Sequence, residues 1–384
     1  MMNFLEVAHS KWEKLDADGL SQLVGQSMLL TSDFSDTQIE ALARLAEAFE
    51  SFDRAGVAVP LFPHQLNTAL FFDNSTRTRS SWAGASARLG AHPFIVDGSA
   101  TQVAHGETPE ETGCMLGMNS HAMGIRHDLI LGKGNTFMRE AKKGIDDYLA
   151  AIGVKREVPM VNLQCDVDHP TQSMSDLLWL RERFGDLRGL TMTVSWAYSP
   201  SYAKPLSVPQ GLITLLSRYG VHLRLAYPEG YGLIPSTMEI AKANSERTGG
   251  SFTVTHDMDE AVVDADIVYP KSWGPYDLML ERVTAAEQRD DAAMKRIEKA
   301  ALERNRSFTD WIYDERRHAL TEGGNAQYMH CLPADLGAEV ARTVYDRFRV
   351  DVSREANKKV YVIMALLAGA KQPDLKAKLA SFLR

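Results

Sequence analysis

"TALFFDNSTRTRSSWAGASARLG", residues 68–90, passes from an apolar aromatic run through a dense set of hydrogen-bond donors into an amphipathic segment. "TALFF" (68–72) predicts a strand. "SSWAGASARLG" continues as a helix, with Trp82, Ala85 and Leu89 on one face and Gly90 as its stop. Between them Ser75, Thr76, Arg77, Thr78 and Arg79 fall where strand turns into helix. Unpaired backbone N–H groups and the helix dipole favour an anion at such a place. The three hydroxyls add donors, and Arg77 offers a planar fork matched to phosphate or carboxylate oxygens. The plainer reading of the same residues is a hydroxyl-rich helix cap with two solvated arginines.

Strand and helix signals alternate onward. "PMVNLQC" (159–165), "LTMTVSWA" (190–197), "VHLRLAYP" (221–228), "SFTVTH" (251–256), "ADIVYP" (265–270) and "AQYMHCLP" (326–333) read as strands. Helical patterns lie around 170–184, 207–219, 235–247 and 337–349, and "HGETPEETGCMLGM" opens a helix with Thr108 as N-cap, Pro109 in first position and Glu111 closing a capping box. This alternation predicts an α/β protein with two doubly wound parallel-sheet domains. A chain of 384 residues exceeds one core. The boundary falls near residue 160, giving domains over 1–160 and 161–354. "REANKKVYVIMALLAGAKQ" opens a C-terminal helical segment, 355–384, expected to pack back on the first domain.

The net charge of −8 and the lack of a basic run disfavour nucleic acid and anionic membranes as partners. Cys114, Cys165 and Cys331 lie far apart and form neither a disulfide framework nor a metal-like pair. No apolar stretch approaches a membrane span, so a cytoplasmic protein is expected. No cluster of metal-ligating residues is visible in the sequence, and neither metal nor cofactor is expected.

"DHPTQSMSDLLWL" (168–180) puts Pro170 in first helical position, His169 at the cap and Gln172 one turn on, on the same side. Such an imidazole and carboxamide suit a polarised carbonyl and a neutral NH₂ group. "GIRHD" (124–128), "YPKSWGP" (269–275) and "YMHCLPAD" (328–335) each set polar side chains directly after an apolar run, the ligand end of an open α/β sheet. His330 adjoins Cys331 but points to the opposite face, so Cys331 is not read as an activated nucleophile.

"STRTR", the GIR arginine, "HPTQ" and "HCLP" in this order resemble the aspartate and ornithine carbamoyltransferase (transcarbamylase) family, over about residues 60–350. "WAYSPSYAKPLSVPQG" (196–211) and "YPKSWG" are similar to its knotted branch, and with "NLQCDVDHPTQSMSDL" to the YgeW-type members of that branch. The resemblance implies a trefoil knot in the second domain. It also implies transfer of a carbamoyl group from carbamoyl phosphate to the amino group of a small amino-acid-like acceptor, with phosphate released. Ser75, Thr76, Arg77 and Thr78 would hold phosphate, Arg126 would span phosphate and carbonyl oxygen, His169 would donate to that oxygen and Gln172 would accept from the carbamoyl NH₂. Lys271, Cys331, Leu332 and Asp335 fall in the acceptor region. Gln102, in "SATQVAHG", falls where the family reaches into a neighbouring site, which implies a homotrimer with shared active sites. Lys271 as cation and Asp335 as anion point to a short diamino acid. N-acetyl- or N-succinylornithine carbamoyltransfer and a catalytically idle carbamoyl-phosphate-binding regulator are the alternatives.

Overall fold

A computed structural model describes residues 3–383 and folds them around two parallel sheets. The first contains β1 (Leu66–Phe71), β2 (His92–Asp97), β3 (Ala122–His127) and β4 (Met160–Cys165), in the order β2-β1-β3-β4. The second contains β5 (Thr191–Trp196), β6 (His222–Ala226), β7 (Ser251–Thr255), β8 (Ile267–Lys271) and β9 (Gln327–Tyr328), in the order β7-β6-β5-β8-β9. Every pairing is parallel. Helices cover both faces of parallel sheets, so inner strands such as β8, buried at every position, read as continuous runs rather than alternating ones. β4 ends its sheet yet is also fully buried, because Met28 bridges to Val161 on its outer side. The edge strand β2 leaves His92, Pro93 and Phe94 exposed and carries no such signal.

Two boundaries move. β4 pairs with β3, so the first sheet continues past the division drawn at residue 160. The helical patterns at 337–349 and 355–384 resolve into one 30-residue helix, Arg342–Lys371, followed by a short one at Leu375–Ala380. Residues before 342 instead form bridges at Val340, where Gly337 at φ 83° turns the chain. The long helix packs on helices Asp36–Arg54, Arg77–Arg88 and Pro170–Phe184, with Val362, Ile363, Met364, Leu366 and Leu367 buried. Full burial of each such side chain contributes roughly 1.5–3 kcal/mol.

Each sheet has one place where the chain reverses its winding direction, between β1 and β3 in the first and between β5 and β8 in the second. Crevices open at the carboxyl ends of strands at such points. Gly124 on β3 keeps this region compact: a Cβ there would lie 2.7 Å from Leu163 Cδ1 and 2.8 Å from Trp82 Cζ3.

Candidate active site

A cavity of about 310 Å³ lies where the two reversal points face each other. One wall comes from the first sheet. Beyond β1 the chain enters helix Arg77–Arg88 through Asn74, Ser75 and Thr76, all on the cavity. Thr76 is the N-cap without a side-chain cap bond, while Thr78 N–H donates to Ser75 Oγ at 3.2 Å. The first helical turn therefore presents amide groups and hydroxyls to the cavity. Arg77 bridges the walls by donating to the carbonyl of Leu332. Leu332 sits at φ 53°, an uncommon region for a branched residue, and its N–H donates to His330 Nδ1 at 2.8 Å.

Arg126, near the end of β3, lines the cavity and pairs with Asp128 at 2.8 Å. Burial lifts the Asp128 carboxyl well above its ordinary range despite that arginine. From β4 the chain turns through Asp168, whose Oδ2 accepts from both the N–H and the hydroxyl of Thr31 at 2.7 Å each. That clamp fixes His169 at the N-cap of helix Pro170–Phe184. His169 Nδ1 lies 3.3 Å from Thr171 Oγ1 and Nε2 lies 3.3 Å from Lys359 Nζ. Burial, then Lys359 and the two arginines, hold the imidazole well below its ordinary pKa, so it is neutral near pH 7. A neutral imidazole still has one N–H to donate.

Lys359 was not singled out in the sequence. It is buried on the long helix, 3.5 Å from Thr78 Oγ1, and burial followed by Arg77 brings its pKa to about 7. The available signal was a lysine pair opening an apolar helical run. Lys358, its neighbour, faces away to Glu50 and Glu182.

The opposite wall carries Tyr202, Lys204, Pro205, Val208, Lys271, Cys331, Leu332 and Pro333. Lys204 donates to Asp335 at 2.9 Å and to Glu339 at 2.8 Å, and these carboxylates outweigh burial and raise its pKa. Lys271 donates to Ser272 O at 2.8 Å and reaches Glu339 only at 3.9 Å. Burial and then Lys204 lower its pKa. Burial would raise Glu339, but His330, Lys271 and Lys204 together hold it far below the carboxylate range.

Ser75, Thr76, Arg77, Thr78, Arg126, His169, Gln172, Lys271, Cys331 and Leu332 thus meet at one cavity. Asp335 does not line it. Its carboxylate is taken up by Lys204, Ser199 and Ser201, so it offers no free anion and the diamino-acid argument loses its basis. Gln102 also stands outside this lining, exposed, with Oε1 3.1 Å from His105 Nδ1. His330 is turned to Leu332 N–H and Glu339, in keeping with the reading of Cys331 as unactivated. Gln164, Tyr202 and Lys204 also line the cavity; their stretches were read for strand or loop character and family likeness, with no side chain assigned a role.

Residues 26–182 match the model of the aspartate/ornithine carbamoyltransferase carbamoyl-P binding domain, and residues 206–369 match that of its Asp/Orn binding domain. "Putative carbamoyltransferase YgeW" of Escherichia coli (strain K12) is 42% identical over 373 residues, 95% of this chain and 94% of that protein. The N-acetylornithine carbamoyltransferase of Xanthomonas campestris pv. campestris is 29% identical over 369 residues, 90% of this chain and 98% of its own. A variant of N-acetyl-L-ornithine transcarbamylase complexed with carbamyl phosphate and N-succinyl-L-norvaline superposes with a TM-score of 0.73 at 26% identity, covering 90% of this chain and all of that one (100%). Two parallel-sheet domains meeting at an anion-ready cavity agree with these likenesses, and the chain belongs to the aspartate/ornithine carbamoyltransferase family as a carbamoyltransferase.

Proposed function

We propose that the first-sheet wall holds carbamoyl phosphate and that the second-sheet wall holds a carboxylate-bearing amine. Ser75, Thr76, Arg77 and Thr78 bind the phosphate, with Lys359 behind Thr78. Arg126 spans phosphate and carbonyl oxygen, and His169 donates to that oxygen. Gln172 accepts from the carbamoyl NH₂. The neutral amine of the acceptor attacks the carbonyl carbon, negative charge gathers on the carbonyl oxygen, and the C–O bond to phosphate breaks. The amine's proton leaves with the phosphate. Donors fixed where that charge develops are worth roughly 3–4 kcal/mol each.

The observation that carries this reading is the convergence of the Ser-Thr-Arg-Thr turn, Arg126, His169 and Gln172 on one cavity. On the acceptor side, Lys271 is the more available cation, since it meets Glu339 only at 3.9 Å whereas Lys204 is neutralised by Asp335 and Glu339 at 2.9 and 2.8 Å. Pro205, Val208, Leu332 and Pro333 make the rest of that wall apolar. This favours an amino acid whose carboxylate meets Lys271 and whose remainder is uncharged, and it disfavours a second cationic group. Contacts between the segment near Lys271 and the 196–211 loop support membership of the knotted branch: Trp196 Nε1 donates to Trp273 O at 2.8 Å and Gly274 N to Lys204 O at 2.9 Å. A cytoplasmic homotrimer with Gln102 serving the adjacent site completes the reading.

Arg77→Ala is the test of the donor site. It is expected to abolish carbamoyl-phosphate binding in calorimetry while the thermal melt stays near wild type, and normal binding would refute the assignment. A panel of amines assayed for ureido product then identifies the acceptor. Lys271→Met should weaken productive carboxylated amines, and an uncharged-amine preference in wild type would overturn the acceptor assignment.

A further inference from the structure

Gln172 is buried, and its Nε2 donates to Asp176 Oδ1 at 2.7 Å and lies 3.5 Å from Glu355 Oε1. Asp176 is one turn further along the same helix, and Glu355 comes from helix Arg342–Lys371 packed across it. Both acids have no solvent exposure. Both carboxyls converge on the one Gln172 nitrogen, yet Asp176 Oδ2 and Glu355 Oε2 have no hydrogen-bond partner. Two ionised carboxylates do not persist so close in a dry core. One shared proton removes the repulsion and satisfies both orphaned oxygens. Burial lifts both carboxyls above their ordinary range, in agreement with a retained proton.

The pair dictates which way the Gln172 amide faces. Reversed, its oxygen would meet two carboxyl oxygens with only the shared proton to divide among them. As placed, both amide hydrogens are directed at the acids, and Oε1 is the polar atom left for the cavity that Gln172 lines. We propose that the Asp176–Glu355 carboxyl pair is a positioning device that locks the Gln172 oxygen toward the carbamoyl NH₂, and so makes the site select a carbamoyl over an acetyl donor. The inference rests on the placement of Gln172 at the carbamoyl group given above. NH₂ and CH₃ are close in size, so shape alone distinguishes them poorly, whereas a fixed hydrogen-bond acceptor does so well. An amide free to turn would offer NH₂ to NH₂ as often as oxygen.

Two stable probes differ only in that group: phosphonoacetamide and acetonylphosphonate. Calorimetry on wild type is expected to favour phosphonoacetamide by about tenfold or more, the value of one well-made buried hydrogen bond. Asp176→Leu should lose that preference while inorganic phosphate binds as in wild type. Asp176→Asn and Glu355→Gln should keep it, because each leaves an acceptor for Gln172 and a fixed donor between the two side chains. Gln172→Leu separates the two levels. If it keeps the wild-type preference, the placement of Gln172 fails and the lock with it. If it loses the preference and Asp176→Leu does not, only the lock is overturned. Should Asp176→Leu not fold, the Gln172 side-chain amide protons in wild type, identified by their absence from Gln172→Leu spectra, decide the matter. Slow hydrogen exchange with and without phosphonoacetamide supports the lock, and exchange as fast as a surface amide overturns it.

Discussion

At the scale of single residues, cations on and just behind the cavity wall have different fates. Lys204 is fixed as a cation by two carboxylates, whereas Lys359, behind Thr78 and His169, has its pKa brought to about 7 by burial and then Arg77. A bound phosphate dianion stabilises the charged lysine, so the bound pKa must exceed the free one. Between those values binding takes up a proton, and affinity falls as pH rises, by up to about tenfold per unit. Calorimetry of carbamoyl phosphate at pH 8 in two buffers of different ionisation enthalpy should therefore show proton uptake by wild type and none by Lys359→Met. Equal heats in both buffers for wild type would end this account. The sequence disclosed Arg77, Arg126, His169 and Gln172 because each follows directly on a recognisable strand or helix start. Lys359 stayed hidden because it is nearly 200 residues from His169 in the chain, and only the packing of the long helix brings it within 3.3 Å.

At the scale of elements, the capping box at Thr108 and Glu111 and the proline-started helix after His169 form as their local signals require. Local chemistry decides such ends. Elements whose stability comes from remote partners were less legible: β2 is an edge strand with exposed residues and no apolar run, and the strand read over 326–333 is present but pairs over only Gln327 and Tyr328. The single helix Arg342–Lys371 was divided in two because charged residues fill its middle, where Lys358 is paired to Glu50 and Glu182 rather than solvated. A further consequence of element packing concerns Gly124. Gly124→Ala would press its Cβ against Leu163 and Trp82, both fully buried, and overpacking of this kind costs roughly 1–3 kcal/mol. β3 also carries Arg126, so the same variant should bind carbamoyl phosphate more weakly. Denaturant unfolding and calorimetry measure the two effects, and wild-type values for both would show that the contact relaxes freely.

At the scale of the whole molecule, the cavity has its walls from one chain, but Gln102 and His105, the exposed ends of the Gln102–His105 segment, have no part in it. The proposed trimer gives that segment a role at the next subunit, and cyclic symmetry makes the role measurable. Take Gln102→Ala and Arg77→Ala subunits, each expected to be nearly inactive alone, and coexpress them in equal amounts. A site is intact when its body comes from the Gln102→Ala chain and its visiting loop from the Arg77→Ala chain. Around a ring of three, any mixed trimer contains one such junction. Random assembly makes about three quarters of the trimers mixed, with one site in three intact, so ureido formation should recover to about a quarter of wild type. Sedimentation of the mixture should show trimers. Activity no higher than the sum of the parents, or a monomer with full turnover, would mean that each chain completes its own site.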